Sequence, residues 1–161
     1  MRVLVSAASR HGATREIAEA IAEGLERRGV QARAAPAEDV GELEGYDAVV
    51  LGSAVYMGHW LEPAVRLAEA LAQAGGRPVW LFSSGPIGSP DPLPHDEAVD
   101  VARLVEATSA REHRVFSGKL DRKLLKFRER AVVAALHVQE GDFRDWDAID
   151  AWAAEIAESL S

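Results

Sequence analysis

Short apolar runs along the chain alternate with longer segments whose apolar positions return every third or fourth residue. The first rhythm marks strands buried on both faces; the second marks helices with one inward stripe. The opening run is Arg2 to Ser6. Behind it Ile17, Ile21 and Leu25, flanked by Ala18 and Ala22, predict a helix that stops near Gly29. A second strand is expected around Val30 to Ala34, and Asp47 to Gly52 (Asp-Ala-Val-Val-Leu-Gly) reads as a buried central strand. The next helix opens at Glu62-Pro63, because a first-turn proline loses no hydrogen bond there, and its inner face is read as Val65, Ala68, Leu71 and Ala72. Pro78 to Ser83 is the fourth strand. Four prolines and two glycines between Gly85 and Pro94 then impose an irregular loop. A helix from about Asp96 to Glu106 leads to a fifth strand at Arg114 to Ser117, and Lys119 to His137 reads as an inserted helix. The last helix begins near Asp145, a good N-cap, and lines up Ile149, Trp152, Ala153, Ile156 and Leu160.

Strands alternating with helices predict an α/β domain whose parallel sheet is covered on both faces. With five strands in the order 2-1-3-4-5, the ligand crevice lies where strands one and three diverge at their carboxyl ends. Three loops meet there: Ser6 to Thr14, Gly52 to Trp60, and Ser83 to Pro94. Each is rich in glycine, hydroxyl groups or aromatics, so the chemistry is expected among them. No repeat or linker divides the 161 residues, and residues 1–161 are read as one domain.

Composition narrows the function. Apolar residues are 48% and charged residues 27% of the chain, ordinary values for a globular protein. Cysteine is absent, which removes disulfides, thiolate metal sites and cysteine nucleophiles together. The longest apolar run, Ala131 to Leu136, falls far short of the ~18–20 residues of a membrane span. The first strand starts at the N-terminus without an apolar leader, so a cytoplasmic location is expected. A net charge of −8 disfavours nucleic acid as a partner. That charge is uneven: Lys119 to Arg130 holds six basic and two acidic residues, leaving −12 on the remainder.

Ser9-Arg10-His11-Gly12-Ala13-Thr14 joins the first strand to the first helix. A helix start offers unpaired amides and the positive end of the dipole, a natural seat for a phosphate. Gly12 lets the backbone wrap closely round an anion, Ser9 and Thr14 can donate hydroxyl bonds, and Arg10 and His11 add charge. The alternative is ordinary helix capping by Ser9 or Thr14. The chain has neither Gly-x-x-x-x-Gly-Lys-Ser/Thr nor a Gly-x-Gly-x-x-Gly after the first strand, which argues against P-loop hydrolases and dinucleotide folds. Ser6-Ala7-Ala8 and Gly52-Ser53 stand where a receiver domain needs acidic residues. Ser6 and Ser53 lack the Gly-x-Ser-x-Gly context of a hydrolase, and His95, His113 and His137 show no metal-ligand spacing.

The first strand followed by Ser9-x-x-Gly12-x-Thr14 resembles the phosphate loop of the flavodoxin family, and Gly52 to Trp60 resembles that family's second flavin loop. Ser53 to His59, with its Tyr-x-Gly-His core, is similar to the menaquinone-dependent protoporphyrinogen dehydrogenases, as are an insertion after the fifth strand and Asp145-Trp146. The resemblance implies a flavodoxin-like three-layer sandwich with a helical insertion after the fifth strand, and flavin mononucleotide (FMN) as cofactor. Ser9, Arg10, His11, Gly12, Ala13 and Thr14 would take its phosphate. Ser53, Ala54, Val55, Tyr56, Met57 and Gly58 would line the ribityl chain and one ring edge, with Ser83, Ser84 and Gly85 from the third loop. Tyr56 or Trp60 would lie against the ring, where stacking adds ~0.5–1.5 kcal/mol; for Trp60 the alternative is packing against the helix it precedes. Gly58 would be the pliant peptide beside flavin N5, and His59 or Tyr56 would relay a proton.

Two departures separate the chain from electron-carrying flavodoxins. No aromatic occurs between Phe82 and Phe116 to cover the second flavin face, and Arg10, His11 and His59 stand where carriers keep acidic groups. Both favour an FMN-dependent oxidoreductase, with protoporphyrinogen as donor and a quinone as acceptor by resemblance. The alternatives are a non-enzymatic carrier docking on redox partner proteins, and a domain that has lost its cofactor. The basic stretch Lys119 to Arg130 is either a solvated helix face or a docking surface for an anionic partner. At an anionic inner membrane each basic residue would add ~1 kcal/mol, a weak peripheral contact.

Overall fold

The computed structural model describes residues 1–56, 58–85, 101–116, 119–120, 141–142 and 144–161. Five parallel strands form its sheet: β1 (Arg2–Ala8), β2 (Gln31–Pro36), β3 (Ala48–Tyr56), β5 (Val79–Ser84) and β6 (Glu112–Phe116), in the spatial order β2-β1-β3-β5-β6. A two-residue strand, β4 (His59–Trp60), folds back antiparallel on β3. The expected order 2-1-3-4-5 is therefore the observed one, once the short β4 is set aside. Four α-helices lie among the described residues: α1 (Ala13–Glu26), α2 (Glu62–Ala74), α3 (Val101–Thr108) and α4 (Trp146–Leu160).

Successive side chains on a strand face opposite ways, and here both sets are apolar. Val3, Val5, Val50, Trp80 and Phe82 enter a core with Ile17, Ile21 and Leu25 of α1 and Ile149, Trp152 and Ile156 of α4. Leu4, Val49, Leu51, Val79 and Leu81 meet Ala64, Leu67, Ala68 and Leu71 of α2 and Val101 and Leu104 of α3. The inner stripe of α2 is thus turned slightly from the expected one: Ala64 and Leu67 are buried, while Val65 and Ala72 are half-buried. Phe82, Phe116 and Trp152 pack edge-on or tilted with centroids 5.5–6.1 Å apart, beneath the carboxyl end of the sheet. The indole N–H of Trp152 reaches the Glu112 carboxylate at 2.7 Å. Burial opposes the charge on Glu112, yet bonds from Trp152 and Arg114 outweigh it and hold the carboxyl below its usual range.

Helices α1 and α4 approach closely because Gly24 has no side chain. A Cβ there would stand 2.8 Å from Cβ of Ala153 and 2.9 Å from Oδ1 of Asp150. At the same contact Arg27 and Arg28 bond Asp150 at 2.7 and 3.0 Å. Asp145 caps α4 as its sequence predicts, its carboxylate accepting from the Ala148 amide at 3.0 Å. The sheet ends in short strands that carry charge: Arg33, exposed, on β2, and Glu112 and Arg114, half-buried and paired with each other, on β6.

Two expectations shift. The central strand runs on to Tyr56 instead of ending at Gly52, because its last residues pair with β4. Lys119 and Leu120, assigned to a helix from their spacing, form a strand (β7) antiparallel to Gly141–Asp142 (β8). The stretch after the fifth strand therefore opens and closes as a β pair. The remainder of the expected helix to His137, with most of the basic cluster, lies outside the described residues, as does the loop from Pro86 to Pro94. Among the described residues no helix is long and apolar enough to cross a membrane.

Candidate functional site

The register places Ala8 of β1 beside Ser53 of β3, and Ser53 beside Ser83 of β5, so the three carboxyl ends finish in one row. This row borders the switch point at which the chain order reverses, between β1 and β3. The loop from Ser9 to Gly12 rises from it. Gly12 is the N-cap of α1 at φ 90°, a left-handed conformation that a side chain would strain, and it makes no side-chain cap. The first helical bond runs from the Glu16 amide to the Gly12 carbonyl at 3.0 Å. Among the described residues no backbone carbonyl accepts from the amides of Ala13, Thr14 or Arg15. Ser9 accepts from the Gly12 amide at 2.9 Å, so its hydroxyl braces the loop, and Thr14 is buried. Three amides free of backbone acceptors at a helix start, with the helix dipole behind them, suit a dianionic phosphate.

Arg10 crosses from this loop to the next, its guanidinium carbon 4.2 Å from the centre of the Tyr56 ring. A cation over an aromatic face is worth about 0.5–1 kcal/mol at an exposed site. Tyr56 pairs with His59 across a tight turn that contains Gly58 at φ 78°. The second loop is therefore a hairpin continuing the central strand. Ala54, Val55, Tyr56 and Gly58 are half-buried and His59 is exposed, while among the described residues beyond its chain neighbours none lies within 4 Å of a Cβ built on Gly58. Met57 lies outside the described residues.

Trp60 and the serines take other places. Trp60 is 4% exposed within the core layer beside α2, the packing alternative, and its N–H donates to Ser83 Oγ at 2.8 Å. Ser83 Oγ lies 2.8 Å from Nε2 of His113 on β6. Ser53 Oγ accepts from the Leu61 amide at 2.9 Å and donates to the Ala54 carbonyl at 2.8 Å. Both hydroxyls thus tie the hairpin and the following helix start to the sheet. Ser84 is buried, and Gly85, at φ 81°, donates its amide to the Phe116 carbonyl at 2.9 Å. What the described residues of the second and third loops offer a ligand is main chain and the Tyr56 ring more than serine hydroxyls.

Two residues at the site's margin had no evident role in the sequence. His113 stands alone in the chain, and only the β5–β6 register brings it to Ser83. Burial lowers its pKa, so the imidazole stays neutral near neutral pH and resists protonation as the pH falls below its ordinary value. Arg144 precedes the α4 cap and leans on the first turn of α1, 2.7 Å from the Glu16 carboxylate. Among the described residues no group of three acidic or histidine side chains could hold a metal.

The family model described as flavodoxin domain matches residues 4–147. Among curated proteins none matches the chain. Solved structures with the same fold include a flavodoxin from the domain Archaea, with 20% identity, 99% of each chain covered and a TM-score of 0.68. A Streptococcus pneumoniae TIGR4 flavodoxin shows 18% identity over 99% of each chain, with a TM-score of 0.65. The rubredoxin:oxygen oxidoreductase of Desulfovibrio gigas shows 13% identity and a TM-score of 0.67, with 99% of this chain covering 36% of that one. At these identities the likeness to solved structures speaks for the fold, and the family match carries the rest. That match runs from the first strand into the last helix, and this chain belongs to the flavodoxin domain family, whose cofactor is FMN.

Proposed function

We propose that this flavodoxin domain is an FMN-dependent oxidoreductase that moves two electrons at a time between small molecules. When bound, FMN supplies the reversible redox chemistry, and the chain supplies grip, orientation and charge. The amides of Ala13, Thr14 and Arg15 receive the phosphate. The hairpin Ser53 to Gly58 borders the ribityl chain and ring edge with its main chain, and Tyr56 offers a ring face. The observation that carries the enzymatic reading is Arg10 lying over Tyr56, with His11 and His59 exposed nearby. Positive charge at this place favours an anionic reduced ring, hence a higher potential and paired electron transfer. Tyr56 and His59, opposite each other in the hairpin, are the side chains suited to pass a proton at the ring edge.

The finer reading, porphyrinogen oxidation with a quinone as acceptor, draws on the resemblance in Ser53 to His59 and at Asp145-Trp146. The second reading is a carrier between redox proteins, which the similarity to flavodoxins favours. Stepwise reduction of the FMN-loaded protein under anaerobic conditions separates the two. The enzyme passes from the oxidised to the fully reduced spectrum without an accumulated one-electron form, and turns over with quinone or porphyrinogen. Build-up of the one-electron form with no turnover on either substrate would establish the carrier.

A further inference from the structure

Arg144 is buried to an unusual degree for a residue beside a surface turn, with only 5% of its side chain exposed. Its Nη1 donates to the Ala13 carbonyl at 3.3 Å and to Glu16 Oε1 at 2.7 Å, and its guanidinium carbon lies 4.6 Å from the centre of the Trp146 ring. The carbonyl it touches shares a peptide group with the Thr14 amide, one of the three without a backbone acceptor at the start of α1. A donor on the oxygen of a peptide group polarises the N–H at its other end and strengthens what that N–H can donate. Glu16 is the one acidic side chain in the first turn of α1, where it would repel a dianion bound to the same amides. Arg144 holds that carboxylate in an ion pair.

From this geometry we infer that Arg144 is a positioning residue for anion binding: it sharpens the Thr14 amide and cancels Glu16, so that the start of α1 discriminates for a phosphate. The inference rests on the reading of this turn as the phosphate seat. It adds a contribution from the far end of the chain, fixed by Trp146 stacking and by the Asp145 cap immediately after it. In a water-like dielectric one charge roughly 6–8 Å from a dianion is worth about tenfold in affinity.

The test is the ratio of FMN to riboflavin affinity, read by quenching of flavin fluorescence on the full chain. Wild type binds FMN well above riboflavin. Arg144→Met weakens FMN about tenfold and leaves riboflavin within about twofold, Arg144→Lys recovers part of the loss, and Glu16→Gln added to Arg144→Met recovers part as well. A purely structural role would weaken both ligands alike and gain nothing from Glu16→Gln; that pattern, or an unchanged ratio in Arg144→Met, overturns the inference alone. A wild-type protein that binds riboflavin as tightly as FMN overturns the inference together with the phosphate seat beneath it. Should Arg144→Met fold poorly, Arg144→Lys and Glu16→Gln answer the question: Glu16→Gln alone raises FMN affinity without raising riboflavin affinity, and no change in either variant counts against the inference.

Discussion

Gly12 and Ser83 show how single positions govern the site. At Gly12 the backbone stands at φ 90°, and among the described residues a Cβ would meet only the Arg15 guanidinium, at 3.7 Å. The obstacle to a side chain is therefore conformational rather than steric crowding. Gly12→Val is expected to cost about 1–2 kcal/mol in the left-handed region, to distort the start of α1, and to abolish FMN retention. Thermal unfolding and equilibrium dialysis with FMN read the two effects separately; undiminished binding would refute the seat. Ser83 acts differently. Replacing it with alanine removes the hydroxyl that accepts from the indole N–H of Trp60, and losing a bond of this kind costs about 0.5–1.5 kcal/mol. Urea unfolding of Ser83→Ala should show that loss, while a variant as stable as wild type would mean that the hairpin is held by packing alone.

At the level of elements, the α1–α4 contact carries a charge switch that acid should reveal. The Arg28 and Arg27 guanidinium groups, through hydrogen bonds first and charge second, lower the Asp150 carboxyl to about 2, although its partial burial pulls the other way. A carboxyl depressed in the fold adds stability above its unfolded pKa and surrenders it as the pH falls towards the folded value. Asp150→Asn is therefore expected to lose about 1 kcal/mol or less at pH 7, the scale of a partly exposed ion-pair cluster. The difference from wild type should close as the pH falls from about 4 to 2. Denaturation at pH 7 and pH 2.5 would show it, and a gap independent of pH would assign the contact to packing around Gly24 instead. The hairpin Tyr56–Trp60 was the element hardest to foresee. Its two strands are short, and its anchor is a serine 23 residues downstream of Trp60, so no local periodicity betrays it.

Across the whole molecule, what sequence could deliver followed from repetition. Val3 and Val5 alternate with Leu4, and the same double-sided greasiness returns in Val49 to Leu51 and Val79 to Phe82, which only a sheet covered on both faces requires. The topology and the α1 start were legible for that reason, as was the Asp145 cap, whose acceptor and amide lie three residues apart. Long-range pairings were not. His113 finds Ser83 through strand register, Arg144 finds Glu16 across 128 residues, and Lys119-Leu120 pairs with residues that lie beyond an intervening stretch. A helical spacing at Lys119 gave way because neighbouring chain in space, not rhythm in sequence, decided its partner. The assignment of Trp60 turned on the same point: a large ring before a helix packs inward when a buried hydroxyl waits for its N–H.

The outer strands bear on solution behaviour. With exposed Arg33 along one flank and the half-buried Glu112–Arg114 ion pair along the other, in runs of six and five residues, the borders carry ions where a bare ladder would invite another molecule to dock strand on strand. Copies meeting side by side must strip water from those ions first, which works against fibrous stacking in concentrated samples.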